Sequence, residues 1–512
     1  MKKLFVFHPF LFAIFPILFL FAYNMDEVPA IDILLPILVI ITATFILFFL
    51  LRLITKSYNK IGIITSSFLI LFFSYGHVQA LIFSLVGEGF IASNYLWGSI
   101  WVLLFIAVAY FVIKNRSRFY TFTKFLNIVA TTLIIISLVS IGIYGIKAGN
   151  LKVEEINQEG NGLSLGSSDN LPDIYYIILD GYARETTLTE IYNYDNSEFI
   201  DYLTSKGFYV ASKSRSNYSW SVLSLASSLN MEHINYLSDV VGTEQRDMTV
   251  PYEMMQNNRV SRLLKHIGYR YIYIASEWAP KGIRKYADVY MPQETLFGIN
   301  MTNFTRYLVK TTALAPFVYR YRFISSANAR DSVLYAFDTL ADIPNIKGPT
   351  FVVCHILPPH PPFVFDRNGN PTAAYFTGEE SWKDKEGYIG QVIFVNNKVN
   401  ALLDEILSKS DVAPVIILQG DHGPASAGQT STAYTGLTKT EVDERMNILN
   451  AYFLPNNDNH VLYQSITPVN TFRLVFNLYF GTNYNLLEDE CYYSTNEYQY
   501  KFSLVLPETN SD

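Results

Sequence analysis

Four short stretches of this chain bring together residue types that could do nucleophilic, acid–base or metal chemistry, and each lies close to an apolar run. Asp180 ends the run Ile174–Leu179 and precedes Gly181. A carboxylate placed there can ligate a cation, or it can simply hold the turn that follows. Gln419-Gly420-Asp421-His422-Gly423 follows the apolar stretch PVIIL. Asp beside His offers one hard oxygen and one imidazole, a common pairing for a divalent metal. The flanking glycines let the backbone turn sharply and let a ligand approach. In the stretch from Cys354 to Phe363, His355 and His360 stand among prolines that fix the backbone. Such a loop suits holding an anionic group or protonating a leaving group, although a lone His in a Pro-rich turn usually does neither. The fourth stretch, SNYSWSVLSLASSL from Ser216 to Leu229, has Val222, Leu225, Ala226 and Leu229 at helical spacing, so a helix starts near Ser221. A hydroxyl at a helix N-terminus meets unsatisfied N–H groups and the positive end of the dipole, which favours an alkoxide and a phosphate formed on it. Serine is equally a preferred N-cap, and spacing alone does not choose between Ser219, Ser221 and Ser224.

The elements that would position these residues alternate between strand and helix. Strands are expected at Ile174–Asp180, Phe208–Val210, Tyr269–Ala275, Thr350–His355, Val415–Gln419 and Ile448–Leu454. Helices are expected near Ser197–Lys206, from Ser221, and at Arg259–His266, Glu386–Lys409 and Pro468–Phe480. The strands read as continuous β-rich apolar runs, as strands buried on both faces do. The pattern predicts an α/β domain with a mostly parallel sheet, whose ligands sit beyond the carboxyl ends of the strands.

Before Ile146 the composition changes. Five stretches approach the ~20 apolar residues that cross a bilayer, at about 4–23, 31–51, 61–83, 95–113 and 125–146. Ser74, His77 and Gln79 make the third the least apolar. Lys and Arg concentrate in alternate loops: Lys2 and Lys3, then Arg52, Lys56 and Lys60, then Lys114, Arg116, Arg118 and Lys124. The intervening loops carry Asp26, Glu27 and Glu88 and no basic residue. The positive-inside rule therefore places the N-terminus in the cytoplasm and everything after Ile146 outside it. The expected organisation is a transmembrane domain at 1–146, a Gly/Ser/Asn-rich flexible linker at 147–172 and an extracytoplasmic domain at 173–512.

Composition excludes some classes of function. The 512 residues are 50% hydrophobic and 16% charged with a net charge of −7, so nothing points to a nucleic-acid partner. The two cysteines, Cys354 and Cys491, give no disulfide framework.

Taken together, the four stretches resemble the sulfatase-like branch of the alkaline phosphatase superfamily. The resemblance is to membrane-anchored lipoteichoic acid synthases and phosphoglycerol or phosphoethanolamine transferases, and it covers Pro172 to about Gly481. It implies an α/β/α sandwich behind a five-span anchor. The S-N-Y-x-x-[ST]-x-x-S-L-A-S context implies that Ser221 is the nucleophile, with Asn217 at the substrate. The strand-terminal carboxylate and the D-H-G element imply that Asp180, Asp421 and His422, with Ser221, ligate one divalent ion. Mn²⁺ takes first place, with Zn²⁺, Mg²⁺ and Ca²⁺ as alternatives. The P-H-x-P-F element implies that His360, with His355, holds the transferred group.

The chain departs from the pattern in three places. Formylglycine sulfatases need C-x-P-x-R or S-x-P-x-R at the nucleophile, and Ser221-Val222-Leu223-Ser224-Leu225 lacks both the Pro and the Arg. Asp180 stands where lipoteichoic acid synthases have Glu, and Ser221 stands where Thr is commoner. The expected function is transfer of a phospho-alcohol group from a membrane lipid donor to a glycan or lipid acceptor of the cell envelope, at the plasma membrane, with no obligate protein partner. The alternatives are a phosphodiesterase, phosphatase or sulfuric-ester hydrolase of the same fold and, from another class, a non-catalytic assembly or binding module.

Overall fold

The computed structural model describes residues 5–25, 28, 30–86, 94–150, 171–275, 283–291, 303–315, 322–372 and 379–506. Of the linker expected at 147–172, residues 151–170 lie outside them, as do Asp26, Glu27 and Glu88, whereas 147–150 continue a helix. The chain forms two compact units, Met1–Lys152 with Leu296–Phe323, and Val153–Thr295 with Ile324–Asp512.

The first unit holds five apolar helices: α1 (His8–Tyr23), α2 (Leu34–Ile54), α3 (Tyr58–Val86), α4 (Asn94–Lys114) and α5 (Tyr120–Asn150). Each expected span falls on one of them. Among the described residues, three stretches are long and apolar enough to cross a bilayer: Leu34–Ile54, Tyr58–Gln79 and Tyr120–Ile143. His8–Tyr23 and Gly98–Lys114 are apolar but shorter, so three spans rather than five meet the length criterion. Tyr58–Gln79 has the lowest mean hydropathy of the three, 1.7 against 2.9 and 2.3, as its interrupting polar residues require. A buried polar clamp starts the bundle. Asn127 Oδ1 accepts from the His8 N–H at 3.1 Å, Asn127 Nδ2 donates to Phe5 O at 2.8 Å, and His8 Nδ1 lies 2.6 Å from Ser66 Oγ. Polar contacts of this kind hold helices together where no hydrophobic force acts between them.

The second unit runs β1 (Ile174–Leu179), α6 (Glu185–Tyr192), α7 (Ser197–Ser205), β2 (Tyr209–Val210), α8 (Ser221–Asn230), α9 (Leu237–Val240), α10 (Thr249–Gln256), α11 (Arg259–His266), β3 (Arg270–Ile274), α12 (Ile283–Tyr286) and β4 (Val289–Met291). The chain then passes through α13 (Asn303–Thr311) in the first unit. It continues with α14 (Arg322–Asp342), β5 (Thr350–Ile356), α15 (Lys385–Lys409), β6 (Val415–Gly420), α16 (Lys439–Met446), β7 (Asn450–Phe453), α17 (Pro468–Tyr479), β8 (Cys491–Tyr493) and β9 (Ser503–Val505).

Seven strands make one sheet in the order β2-β7-β6-β1-β5-β3-β4. β6, β1, β5, β3 and β4 are parallel, and β7 and β2 close one edge antiparallel. β1 is central and buried along its whole length. Ile174, Tyr176 and Ile178 enter the core that α8 and α17 cover, while Tyr175, Ile177 and Leu179 enter the opposite core with α15. The result is an α/β/α sandwich, and it explains why the strands read as unbroken apolar runs.

The segment 277–323 divides between the two units. β4 pairs with β3 at the sheet edge. By contrast, α13 packs on the membrane helices, with Phe304 and Leu308 in one core with Phe12, Ile17, Phe21, Ile33, Leu69 and Phe73. The Ala313 N–H donates to Phe72 O at 2.8 Å, and a Cβ at Gly76 would lie 2.2 Å from Lys310 O. Only glycine lets the two backbones approach this closely. Gly76→Leu should therefore release the segment, and in membrane vesicles trypsin should cut after Arg306 and Lys310 faster than in the parent protein. Unchanged cleavage would contradict the docking.

Candidate metal and nucleophile site

The strand register brings the candidate residues together. Leu179 pairs with Gly420 on one side and with Ile356 on the other, so Asp180 emerges beside Asp421, and His355 lies at the end of the adjoining strand. These are the carboxyl ends of three adjacent parallel strands, where open α/β sheets bind ligands. Asp180, Asp421 and His422 are all buried, and one ligand atom from each lies within 4.8 Å of the others. His422 Nε2 is 3.5 Å from Asp180 Oδ1 and 3.6 Å from Asp421 Oδ2. His355 Nε2 is 3.4 Å from Asp180 Oδ2 and 3.9 Å from Asp421 Oδ2.

Local geometry fixes each group. Asp421 Oδ1 accepts the Gly181 N–H at 3.0 Å and its neighbour's N–H, that of His422, at 2.9 Å. Its other oxygen is left aimed at the site. His422 Nδ1 donates to Gly423 O at 2.9 Å, which leaves Nε2 with its lone pair facing Ser221 Oγ at 3.1 Å. The glycines are demanded by their surroundings. A Cβ at Gly423 would lie 2.0 Å from Glu444 O, and Gly181 has φ +71° with Trp382 packed against it. Gly423→Ala is accordingly expected to cost about 1–3 kcal/mol or more from overpacking, read as a lower denaturation midpoint.

The structure separates the three serines. Trp220 occupies the N-cap of α8 without a capping side-chain bond, and Ser221 is the first helical residue. Ser219 Oγ donates to Ser494 O and accepts the Ser494 N–H. Ser224 Oγ is buried 3.2 Å from Ser216 Oγ. Of the three hydroxyls, that of Ser221 faces the Asp/Asp/His group. Asn217 is placed differently from the substrate contact the resemblance implies. Its Nδ2 donates to Glu490 O and its Oδ1 accepts the Val469 N–H, so the amide is used in tying the nucleophile loop to the start of α17. His360 stands beside the group, its ring 6.3 Å from that of His422 and 4.7 Å from Trp382, with Nδ1 donating to Pro361 O at 2.6 Å.

Electrostatics follow the packing. Burial, reinforced by the Arg445 charge, pulls the His422 imidazole down to about 4, so it is neutral at pH 7 and able to act as a ligand. Burial works to raise the Asp180 carboxyl, but the facing His360, His355 and His422 outweigh it and hold it well below the usual carboxylate range. Burial would lower His355, and its contacts with Asp180 and Asp421 raise it instead.

The fit to a cation rests on two atoms. Asp180 Oδ1 and Asp421 Oδ2 are buried without a hydrogen-bond partner. Burying an ionised oxygen unpaired is costly, and a cation shared by the two removes that cost.

The sequence did not signal Trp382, which packs against both Gly181 and His360, nor Arg445 on α16. Arg445 donates from Nε and Nη2 to Ser219 O at 2.9 and 2.5 Å, and from Nη1 to Gly423 O at 2.8 Å.

No protein-family model matches the chain, and no curated protein matches it. Solved structures do. The integral membrane lipooligosaccharide phosphoethanolamine transferase A (EptA) of Neisseria meningitidis matches 92% of this chain over 95% of its own, at 11% identity and a TM-score of 0.41. The C-terminal periplasmic domain of EcEptC from Escherichia coli matches 65% of this chain over 92% of its own, at 12% identity and 0.41. The Bacteroides fragilis protein yidJ, named a sulfatase, matches 65% over 84%, at 16% identity and 0.41. At these values the likenesses carry no substrate from those proteins to this chain. Phosphoethanolamine transferases and sulfatases are thus what the chain is similar to among solved structures.

Proposed function

We propose that the protein is a membrane-anchored, metal-dependent transferase that moves a phospho-alcohol group, phosphoglycerol or phosphoethanolamine, from a lipid to an envelope glycan or lipid through Ser221. One observation carries the reading. A hydroxyl on the first turn of α8 faces the His422 imidazole at 3.1 Å beside two buried carboxylates, in a chain that also carries helices long and apolar enough to cross a membrane.

Asp180, Asp421 and His422, with Ser221 Oγ, would hold one divalent ion. When bound, that ion lowers the pKa of a coordinated hydroxyl and offsets charge on the phosphoryl oxygens. Mn²⁺ stays first among the candidates by the family resemblance, while an Asp/His donor set does not decide among Mn²⁺, Zn²⁺, Mg²⁺ and Ca²⁺. The chain's own residues do the rest. Ser221 Oγ gives up its proton and forms a bond to phosphorus as the bond to the lipid's glycerol oxygen breaks, and that oxygen takes up one proton in turn, so the lipid leaves as diacylglycerol. The N-terminal amides of α8 point at the phosphoryl oxygens and stabilise charge there. His360 Nδ1 donates to Pro361 O, which orients the ring and leaves Nε2 as the nitrogen that can face the transferred group. An acceptor hydroxyl then attacks phosphorus and frees Ser221.

The loop charges support an outer location for the second unit. So does α13, which packs against the 3-10 turn Ala30–Ile33 and the later part of α3, the ends that the charge pattern assigns to the outside.

The test uses full-length protein in proteoliposomes of phosphatidylethanolamine or phosphatidylglycerol, with Mn²⁺ or Zn²⁺. Release of diacylglycerol that increases with added glycan or lipid acceptor is expected. Release indifferent to the acceptor would make the protein a phosphodiesterase, and no release from either lipid would contradict the reading.

A further inference from the structure

Arg445 is 2% exposed, and its hydrogen bonds run to main-chain carbonyls rather than to a carboxylate. Arg215, at the start of the nucleophile loop, does what a partly buried arginine ordinarily does and pairs with Asp443 at 2.9 Å. Burying a guanidinium is costly, and a brace between two loops could be made from apolar residues. The position of its contacts suggests what the charge is for. Ser219 O belongs to the segment that delivers Ser221, two residues on. Gly423 O is the carbonyl that already accepts His422 Nδ1 and so sets the direction of the imidazole. A single planar fork therefore grips the nucleophile loop with Nε and Nη2 and the metal-ligand loop with Nη1, and its central carbon Cζ lies over the Trp220 ring, 5.2 Å from the ring centre. Between the two gripped loops lies the 3.1 Å gap from Ser221 Oγ to His422 Nε2.

We infer that Arg445 is a positioning residue: by tying Ser219 O to Gly423 O it sets the separation of Ser221 and His422, and with it the geometry in which both meet a metal. The inference rests on the metal-dependent reading of the site. A planar five-donor group is needed because a lysine ammonium, a point donor on a flexible stem, does not reproduce a fork fixed on both carbonyls.

The experiment uses the full-length protein in detergent, freed of metal and titrated with Zn²⁺ against a chelating dye, with the visible spectrum of the Co²⁺ form as a second readout. Arg445→Lys is expected to fold, to bind Zn²⁺ about 10–100-fold more weakly, as loss of an outer support of a ligand does, and to show a shifted Co²⁺ spectrum. Arg445→Met should bind more weakly still. Variants that bind Zn²⁺ as tightly as the parent, with the same Co²⁺ spectrum, would overturn the inference. Failure of both to fold would also overturn it, by making Arg445 a structural brace. If the parent protein takes up neither ion, the metal reading itself falls and this inference falls with it.

Discussion

Ser221→Ala is expected to stay folded and to keep its melting temperature within a few degrees, while turnover falls by several orders of magnitude. The size of the loss separates a nucleophile from a cap. Loss of a capping serine costs roughly 0.5–2 kcal/mol of stability and leaves a protein of ordinary stability, about 5–15 kcal/mol, folded and working. Loss of an attacking oxygen removes the step itself. The structure weakens the capping alternative, because Trp220 holds the N-cap position and the Ser221 hydroxyl turns to His422 instead of to its own helix. Ser221→Thr should retain part of the activity, since it keeps the hydroxyl. Ser219→Ala and Ser224→Ala should affect stability more than chemistry, because their hydroxyls are engaged with Ser494 and Ser216. Near-parental turnover in Ser221→Ala, measured with Tm alongside, would remove Ser221 from the mechanism.

The second large effect concerns the metal. Asp421 does two jobs with two oxygens: Oδ1 accepts two backbone N–H groups, and Oδ2 faces the site without a hydrogen-bond partner. Asp421→Asn keeps an oxygen for the backbone and removes the charge, whereas Asp421→Ala also strands the Gly181 and His422 amides, at about 1–3 kcal/mol each. The Asn variant should therefore fold and lose the metal, and the Ala variant should lose both metal and stability. Added Zn²⁺ or Mn²⁺ at 100 times Kd should stabilise the parent protein by about 2.7 kcal/mol, seen as a rise in Tm that is absent in Asp421→Asn and His422→Ala. An equal rise in all three would refute shared ligation by these side chains.

Much of this was legible in the sequence because of where the chemistry sits. β1, β5 and β6 are covered on both faces, so they read as apolar runs; Asp180 and Asp421 follow directly where β1 and β6 end, and His355 is the last residue but one of β5. The helix start at Ser221 was legible from periodicity, but the choice among three serines was not. That choice depends on Ser494 and Ser216 occupying the other two hydroxyls, and Ser494 is 275 residues from Ser219. Asn217 lies in the same motif, yet its amide is taken by Glu490 and Val469, again through distant chain. Arg445 stands in an unremarkable helical DERM sequence, and its value comes from the carbonyls it reaches 226 and 22 residues away. α14 was missed because its polar first half hides the apolar face of Val333, Ala336, Phe337 and Leu340. The segment around α13 shows only a short amphipathic pattern, which does not reveal that it returns to the membrane helices.

The most direct test of the central claim is the mass of the peptide containing Ser221. Full-length protein would be incubated with phosphatidylethanolamine or phosphatidylglycerol vesicles and Mn²⁺ or Zn²⁺, without acceptor, then quenched and digested. The account predicts that this peptide gains the mass of phosphoethanolamine or phosphoglycerol, that fragmentation places the gain on Ser221, and that Ser221→Ala shows none. An unmodified Ser221 peptide from protein that consumes lipid, or an adduct on Ser219, Ser224 or another residue, would contradict it.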